Sequence, residues 1–168
     1  MPGSGKSHLL RHLNVVETDI EICSADNFFV NRVEDSTGNS ISFYKFEPEK
    51  LPQAHNDCMA QFIDALHAKK QCVVVDNTNT HFWEFENYIR LALDAGYQVI
   101  SVNVNPETKE ELRMCIERQQ HDVPLAIVLK IWYEMEPVST WPHWAKSEVK
   151  EKHYFNLNRS LTISELLK

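Results

Sequence analysis

One hexapeptide, Pro2-Gly3-Ser4-Gly5-Lys6-Ser7, constrains this chain more than any other stretch. Its glycines let backbone N–H groups turn toward an anion without a Cβ in the way. The helix start that follows adds partial positive charge, Lys6 a full one, and the Ser7 hydroxyl a ligand for Mg²⁺. The string reads as most of a phosphate-binding loop, G-x-x-x-x-G-K-[ST]. Such a loop joins a buried strand to a helix and so demands an α/β fold around it. A chance Gly/Ser turn is the competing reading. The motif's first glycine and the preceding strand would both stand before Met1.

The rest of the chain alternates strand and helix signals. Ser7–Leu13 continues as a short helix, and Ile20–Cys23 is a short strand ending at Ser24-Ala25-Asp26. Residues 31–42 are polar around Gly38 and read as a surface loop. Pro48 leads into a helix over Leu51–Ala68, with apolar residues at helical spacing. Cys72–Val75 is a continuous apolar run, as in a strand covered on both faces. Phe82–Ala95 is an amphipathic helix stopped by Gly96, and Val99–Val104 a strand. Thr108–Gln119 is a helix with Thr108 and Glu111 as a capping box, and Pro124 opens another that reaches Glu136. Trp141, Pro142 and Trp144 suggest a packed turn, His153–Leu157 a last strand and Ser164–Leu167 a short helix. This order gives one α/β domain over residues 1–168 with a mostly parallel sheet. Residues 137–168 form a C-terminal extension without assignment.

Bulk properties narrow the class. At 43% hydrophobic and 24% charged residues over 168 positions, the chain fits a globular domain with a real core. No apolar run approaches the ~20 residues a membrane span needs. The cysteines at 23, 58, 72 and 115 form no C-x-x-C pair, which argues against a zinc site or a disulfide framework and for a cytoplasmic chain. Three of them sit in apolar surroundings and read as small core residues. A net charge of −7 gives no overall field to attract polyanions, which counts against a module that coats nucleic acid.

Three further segments carry chemistry. Asp26 stands just past the end of a strand, the edge at which open parallel sheets bind ligands, where a carboxylate can take the proton of an attacking hydroxyl. A helix cap by Asp26 or Ser24 is the plainer alternative. Asp76 closes Val73-Val74-Val75 in the same manner and is placed to hold Mg²⁺ directly or through water; a turn residue in D-N-T-N is the alternative. Arg118 ends a helix beside the polar segment 119–123, and such a segment can close as a lid that brings an arginine over a phosphoryl group. Arg113 reads as a solvated helix residue and His121 as structural. Lys45, His55, Trp83 and Glu84 receive no chemical role, and Trp83 is expected to pack at the start of its helix.

In order, P-G-S-G-K-S, S-A-D-N-F-F, Y-K-F-E-P-E-K-L-P-Q-A-H, V-V-V-D-N-T-N-T-H-F-W-E, G-Y-Q-V and R-Q-Q-H-D-V-P resemble the polynucleotide-kinase-like group of P-loop kinases. Within it they resemble the small proteins related to the kinase domain of Nedd-four-binding protein two, over Pro2 to about Glu134. The resemblance implies a doubly wound parallel sheet of the P-loop NTPase type. It implies that Gly3, Ser4, Gly5, Lys6 and Ser7 take ATP phosphates, with Mg²⁺ on Ser7 and Asp76. Asp26 would be the general base, with Lys6 and Arg118 on the phosphates. The reaction implied moves the γ-phosphoryl group of ATP to a hydroxyl, for which nucleic-acid 5′-hydroxyl ends are the group's best-known acceptor. The chain departs from polynucleotide kinases proper in carrying Phe28, Phe29 and Val30 where an acceptor-binding Arg follows the base; Arg32 is its first candidate. Two other readings stay open: a small-molecule kinase like the zeta-toxin and chloramphenicol-phosphotransferase relatives, and a nucleotide-binding module without transfer.

Family loops read G-[apolar]-P-G-S-G-K, and Met1 occupies the apolar place. The expectation is therefore a longer natural protein whose first strand is missing from this chain. Its loss would expose neighbouring strand edges and cost ~1.5–3 kcal/mol per buried apolar side chain. Val15–Val16 and His153–Leu157 are the segments that could compete for the slot.

Overall fold

The structure, a computed structural model, describes residues 1–11, 13–14, 19–34, 38–119, 123–155 and 161–162. Helix α1 (Lys6–Arg11) leads to β1 (Leu13–Asn14), β2 (Ile20–Cys23), a 3-10 turn over Ala25–Phe29, and strands β3 (Val30–Glu34) and β4 (Ser40–Tyr44). Helix α2 (Leu51–His67), β5 (Cys72–Val75), α3 (Phe82–Asp94), β6 (Val99–Asn103), α4 (Lys109–Arg118) and α5 (Leu125–Glu134) follow. The chain closes with α6 (His143–Glu148), β7 (Val149–His153) and β8 (Leu161–Thr162). The expected alternation is present. Three strand pairs are parallel, β1–β8, β2–β5 and β6–β7, and β3–β4 is antiparallel. The expected competitors Val15–Val16 and the terminal helix Ser164–Leu167 lie outside the described residues.

The chain divides into two compact units, Glu17–Asn77 and Met1–Val16 with Thr78–Lys168. In the first, β2 and β5 pair in register from Ile20↔Cys72 to Cys23↔Val75. Helix α2 lies against them through Ala54, Cys58, Phe62, Ala65 and Leu66, all buried, the i, i+4, i+8, i+11 stripe that places one helix face on a sheet. Two expectations need correction here. Cys72–Val75 is half-buried throughout, short of the cover on both faces that its composition suggests; α2 packs on it and β2 pairs along its edge. The expected loop at 31–42 is mostly a β-hairpin, Val30↔Tyr44 to Glu34↔Ser40. Both of its strands are exposed along their length, so their polar composition hid them. Gly38 leaves its turn at φ 83°, a left-handed conformation that glycine adopts without steric cost.

Among the described residues of the second unit, two buried clusters stand out. Phe82, Ile89, Trp141, Ala145 and Val149 form one, and Met1, Leu112, Cys115 and Val128 the other. The Trp141 ring packs tilted against Phe82 at 5.4 Å and edge-on against Phe85 at 5.2 Å, so the expected packed turn is a core element. Arg90 lies 4.0 Å over the Trp144 ring, a cation–π contact that also covers apolar surface with its stem. Thr108 and Glu111 form the expected capping box, with Glu111 N–H donating to Thr108 Oγ1 at 3.2 Å. Where a strand was expected over His153–Leu157, of which 156–157 lie outside the described residues, β7 runs four residues earlier, Val149–His153, and pairs in parallel with β6. Part of the unassigned extension is therefore structural. Its V-K-E-K-H string buries only Val149 fully, too little apolar alternation to be read as a strand.

Candidate functional site

The loop that opens the chain is built by local hydrogen bonds. Ser4 Oγ donates to the Met1 carbonyl at 2.8 Å and Lys6 Nζ to the same oxygen at 3.2 Å. Gly3 and Gly5 take φ of 71° and 93°, conformations that cost other residues ~1 kcal/mol or more. The two glycines differ in surroundings. A Cβ on Gly3 would stand 1.9 Å from the Cys115 carbonyl oxygen, whereas one on Gly5 would meet nothing within 4 Å. Gly3 thus brings the loop against the backbone of α4, and Gly5 leaves its outer side open. Leu9 N–H donates to Gly5 O at 2.9 Å, so α1 begins at the loop. Ser7 is exposed and Lys6 half-buried at that start. Ser4 is buried and its hydroxyl belongs to the turn.

Arg118 is the last residue of α4 and exposed. Burial pushes the Cys115 thiol above its usual range, while the chain N-terminus, Arg118 and Lys6 pull it back. Arg118 and Lys6, both of one unit, therefore lie within electrostatic reach of the same buried sulfur. The lid segment, including His121, lies outside the described residues from 120 to 122. Arg113 pairs with Glu117 at 3.0 Å in solvent, as expected of a solvated helix face.

The two acids belong to the other unit, and the β2–β5 register brings them to one edge. Cys23 and Val75 are partners, so both chains leave the parallel pair side by side. Asp76 N–H donates to Cys23 O at 2.9 Å, and Ser24 Oγ donates to Asp76 O at 2.8 Å. Asp26 is exposed in the 3-10 turn that follows. Ser24 occupies its N-cap position and makes no side-chain cap bond. Tyr44 Oη donates to Asp26 Oδ1 at 3.3 Å. Burial first and the Asp26 carboxylate second push the Tyr44 phenol up to about 12.

Several contributors escaped the sequence reading. Asn77 accepts the Ala25 N–H at 2.9 Å and donates to Cys58 Sγ at 3.4 Å, fixing the exit of β2 to α2. Glu84 Oε2 accepts the Thr80 and His81 N–H groups at 2.5 and 2.7 Å, capping α3; a carboxylate at a helix start carried that signal. Glu136 Oε2 takes the Phe82 N–H at 2.8 Å, a pairing 54 residues apart that no local pattern shows. Trp83, expected to pack, is 70% exposed. The buried side of α3 is Phe82, Tyr88, Ile89 and Ala92, and the residue after Phe82 turns ~100° away from it. His55 is exposed, and Lys45 pairs with Glu47 at 2.9 Å.

A glycine-lined loop with Lys and Ser at a helix start, in an α/β chain with parallel strands, defines the class: a nucleotide-binding P-loop protein. The chain belongs to the AAA domain family, whose model matches residues 1–138. It is also similar to NEDD4-binding protein 2 of Homo sapiens, at 25% identity over 189 aligned residues and 96% of this chain. The chain spans 10% of that relative's length.

Proposed function

We propose that the chain is an ATP-dependent kinase of the polynucleotide-kinase-like group, transferring the γ-phosphoryl group to a hydroxyl, with a nucleic-acid 5′-hydroxyl end as acceptor. The observation that carries this reading is the β2–β5 register, which sets Asp26 and Asp76 at the exit of one parallel strand pair. Gly3, Ser4, Gly5, Lys6 and Ser7 bind the phosphates. Lys6 and Arg118 offset negative charge on the transferring group. Asp26 accepts the proton of the acceptor hydroxyl, whose oxygen bonds to the γ-phosphorus as ADP leaves. The described residues include no cluster of three acidic, His or Cys side chains able to hold a metal. The reading assigns Mg²⁺ instead to the Ser7 hydroxyl and the Asp76 carboxylate, each by its chemistry a hard oxygen donor suited to an ion whose shell phosphate oxygens and water complete. Bound there, Mg²⁺ would neutralise phosphate charge. The reading takes residues 1–168 as one doubly wound kinase domain with an extension from 137. It places the chain in the cytoplasm, in keeping with four free cysteines; no helix among the described residues is long and apolar enough to cross a membrane.

A small-molecule acceptor is the second reading. It is favoured by the apolar Phe28, Phe29 and Val30 after the base and by the −7 net charge, neither of which suits a polyanion. The deciding experiment offers labelled ATP with Mg²⁺ and 5′-hydroxyl DNA, RNA or nucleosides. Label on an oligonucleotide that disappears in Asp26→Ala supports the first reading, and label on nucleosides alone the second. Nucleotide binding with no transfer to any acceptor overturns both and leaves a binding module.

A further inference from the structure

The hairpin β3–β4 had no functional place in the sequence, yet it carries a polar contact onto the candidate base. Tyr44 is the last residue of β4 and pairs with Val30. Its ring meets Phe29 edge-on at 6.1 Å, and Phe29, 2% exposed, meets Phe46 at 5.0 Å. Lys45 N–H donates to Phe29 O at 2.9 Å. The end of β4 is thus held by ring packing and a backbone bond to the same 3-10 turn that carries Asp26. From this anchored position the Tyr44 hydroxyl donates to Asp26 Oδ1 at 3.3 Å.

We propose that Tyr44 is a positioning residue for the reaction, fixing the Asp26 carboxylate so that Oδ2 faces the acceptor hydroxyl. The inference rests on the reading of Asp26 as general base. A carboxylate on an exposed turn samples several rotamers, and a donor to one oxygen selects among them. It leaves the second oxygen to receive the proton. The same contact gives the hairpin a function. Cross-strand partners share a face, so Arg32 and Ser42 lie on the Tyr44 face, with Glu34 and Ser40 beyond. Asn31, Val33, Ile41 and Phe43 form the opposite face. Apart from Val30 this face is polar, and it is the one whose end carries the contact to the candidate base.

The test compares wild type, Tyr44→Phe, Asp26→Asn and their double mutant in the full chain. Tyr44→Phe keeps the ring and its packing and removes only the donor. Its kcat is expected to fall about tenfold with KM for ATP unchanged, since one hydrogen bond to a charged group is lost. In the Asp26→Asn background the same substitution should have no further effect. A second readout does not use turnover: the three-bond NMR couplings across χ1 of Asp26, which report how many rotamers its side chain samples. They should indicate one rotamer in wild type and an average over several in Tyr44→Phe. Unchanged couplings overturn the proposal whatever the activity. Changed couplings with kcat unchanged also overturn it, showing a contact without consequence. If Asp26→Asn itself retains wild-type transfer, the base assignment fails, and the positioning role falls with it.

Discussion

The two loop glycines look equivalent in the sequence and are not equivalent in the structure. Gly3→Ala must push the Cys115 carbonyl aside or unseat the loop, since its Cβ would fall 1.9 Å from that oxygen. Gly5→Ala meets only the backbone strain of its φ. Urea denaturation is expected to show Gly3→Ala destabilised by ~2–4 kcal/mol and Gly5→Ala by ~1–2 kcal/mol; equal losses would contradict the close approach. Tyr44 gives a second expectation at this scale. Its phenol is raised to about 12 from the ordinary ~10 of an unfolded chain. The folded state therefore holds the proton more tightly. The stability this contributes is complete below pH ~10 and is lost as pH rises toward 12. Stability measured in urea at pH 9 and pH 11 should fall more steeply in wild type than in Tyr44→Phe. The candidate site residues stand out in the sequence because their types and order are distinctive: Lys6 after two glycines, Asp26 and Asp76 after apolar strands. Tyr44, Asn77 and Glu136 do not, because their partners are 18, 52 and 54 residues away.

Elements with strong periodicity and local punctuation were read within a few residues. Helix α2 shows its stripe, α3 its Gly96 stop and α4 its capping box. The hairpin failed for a physical reason. A two-stranded ribbon in solvent needs no apolar alternation, so composition alone made it a loop. Half-burial of Cys72–Val75 was hidden for the opposite reason: four apolar residues in a row look the same whether one face is covered or two. The α4 cap offers a clean check. Thr108→Ala removes the acceptor for the Glu111 N–H and should lower stability by ~1 kcal/mol, whereas Thr108→Ser should preserve it. Thermal unfolding of the three proteins decides.

Across the whole molecule, the largest departure from the sequence reading is the part played by the segment after Pro137. Trp141, Ala145 and Val149 supply three of the five buried residues of one core, and β7 is the described partner of β6. A chain ending at Glu136 keeps every residue assigned to phosphate or acceptor and loses this support. It is expected to lack a cooperative thermal transition and fixed aromatic near-UV signal, and a sharp melt in the shortened chain would show the extension dispensable. The two units also differ in a way that can be followed chemically. Burial first, with Cys58 and Glu21 adding, pushes the Cys23 thiol up to about 12, and Cys115 is likewise raised by burial. Both are 0% exposed, one in each unit. At neutral pH neither sulfur is a nucleophile until its surroundings open. Alkylation at these two positions is therefore a pair of built-in clocks, one timing the opening of the acid edge and the other that of the phosphate loop. If nucleotide slows only the Cys115 clock, the loop closes by itself; if it slows both, the ligand is felt throughout the chain.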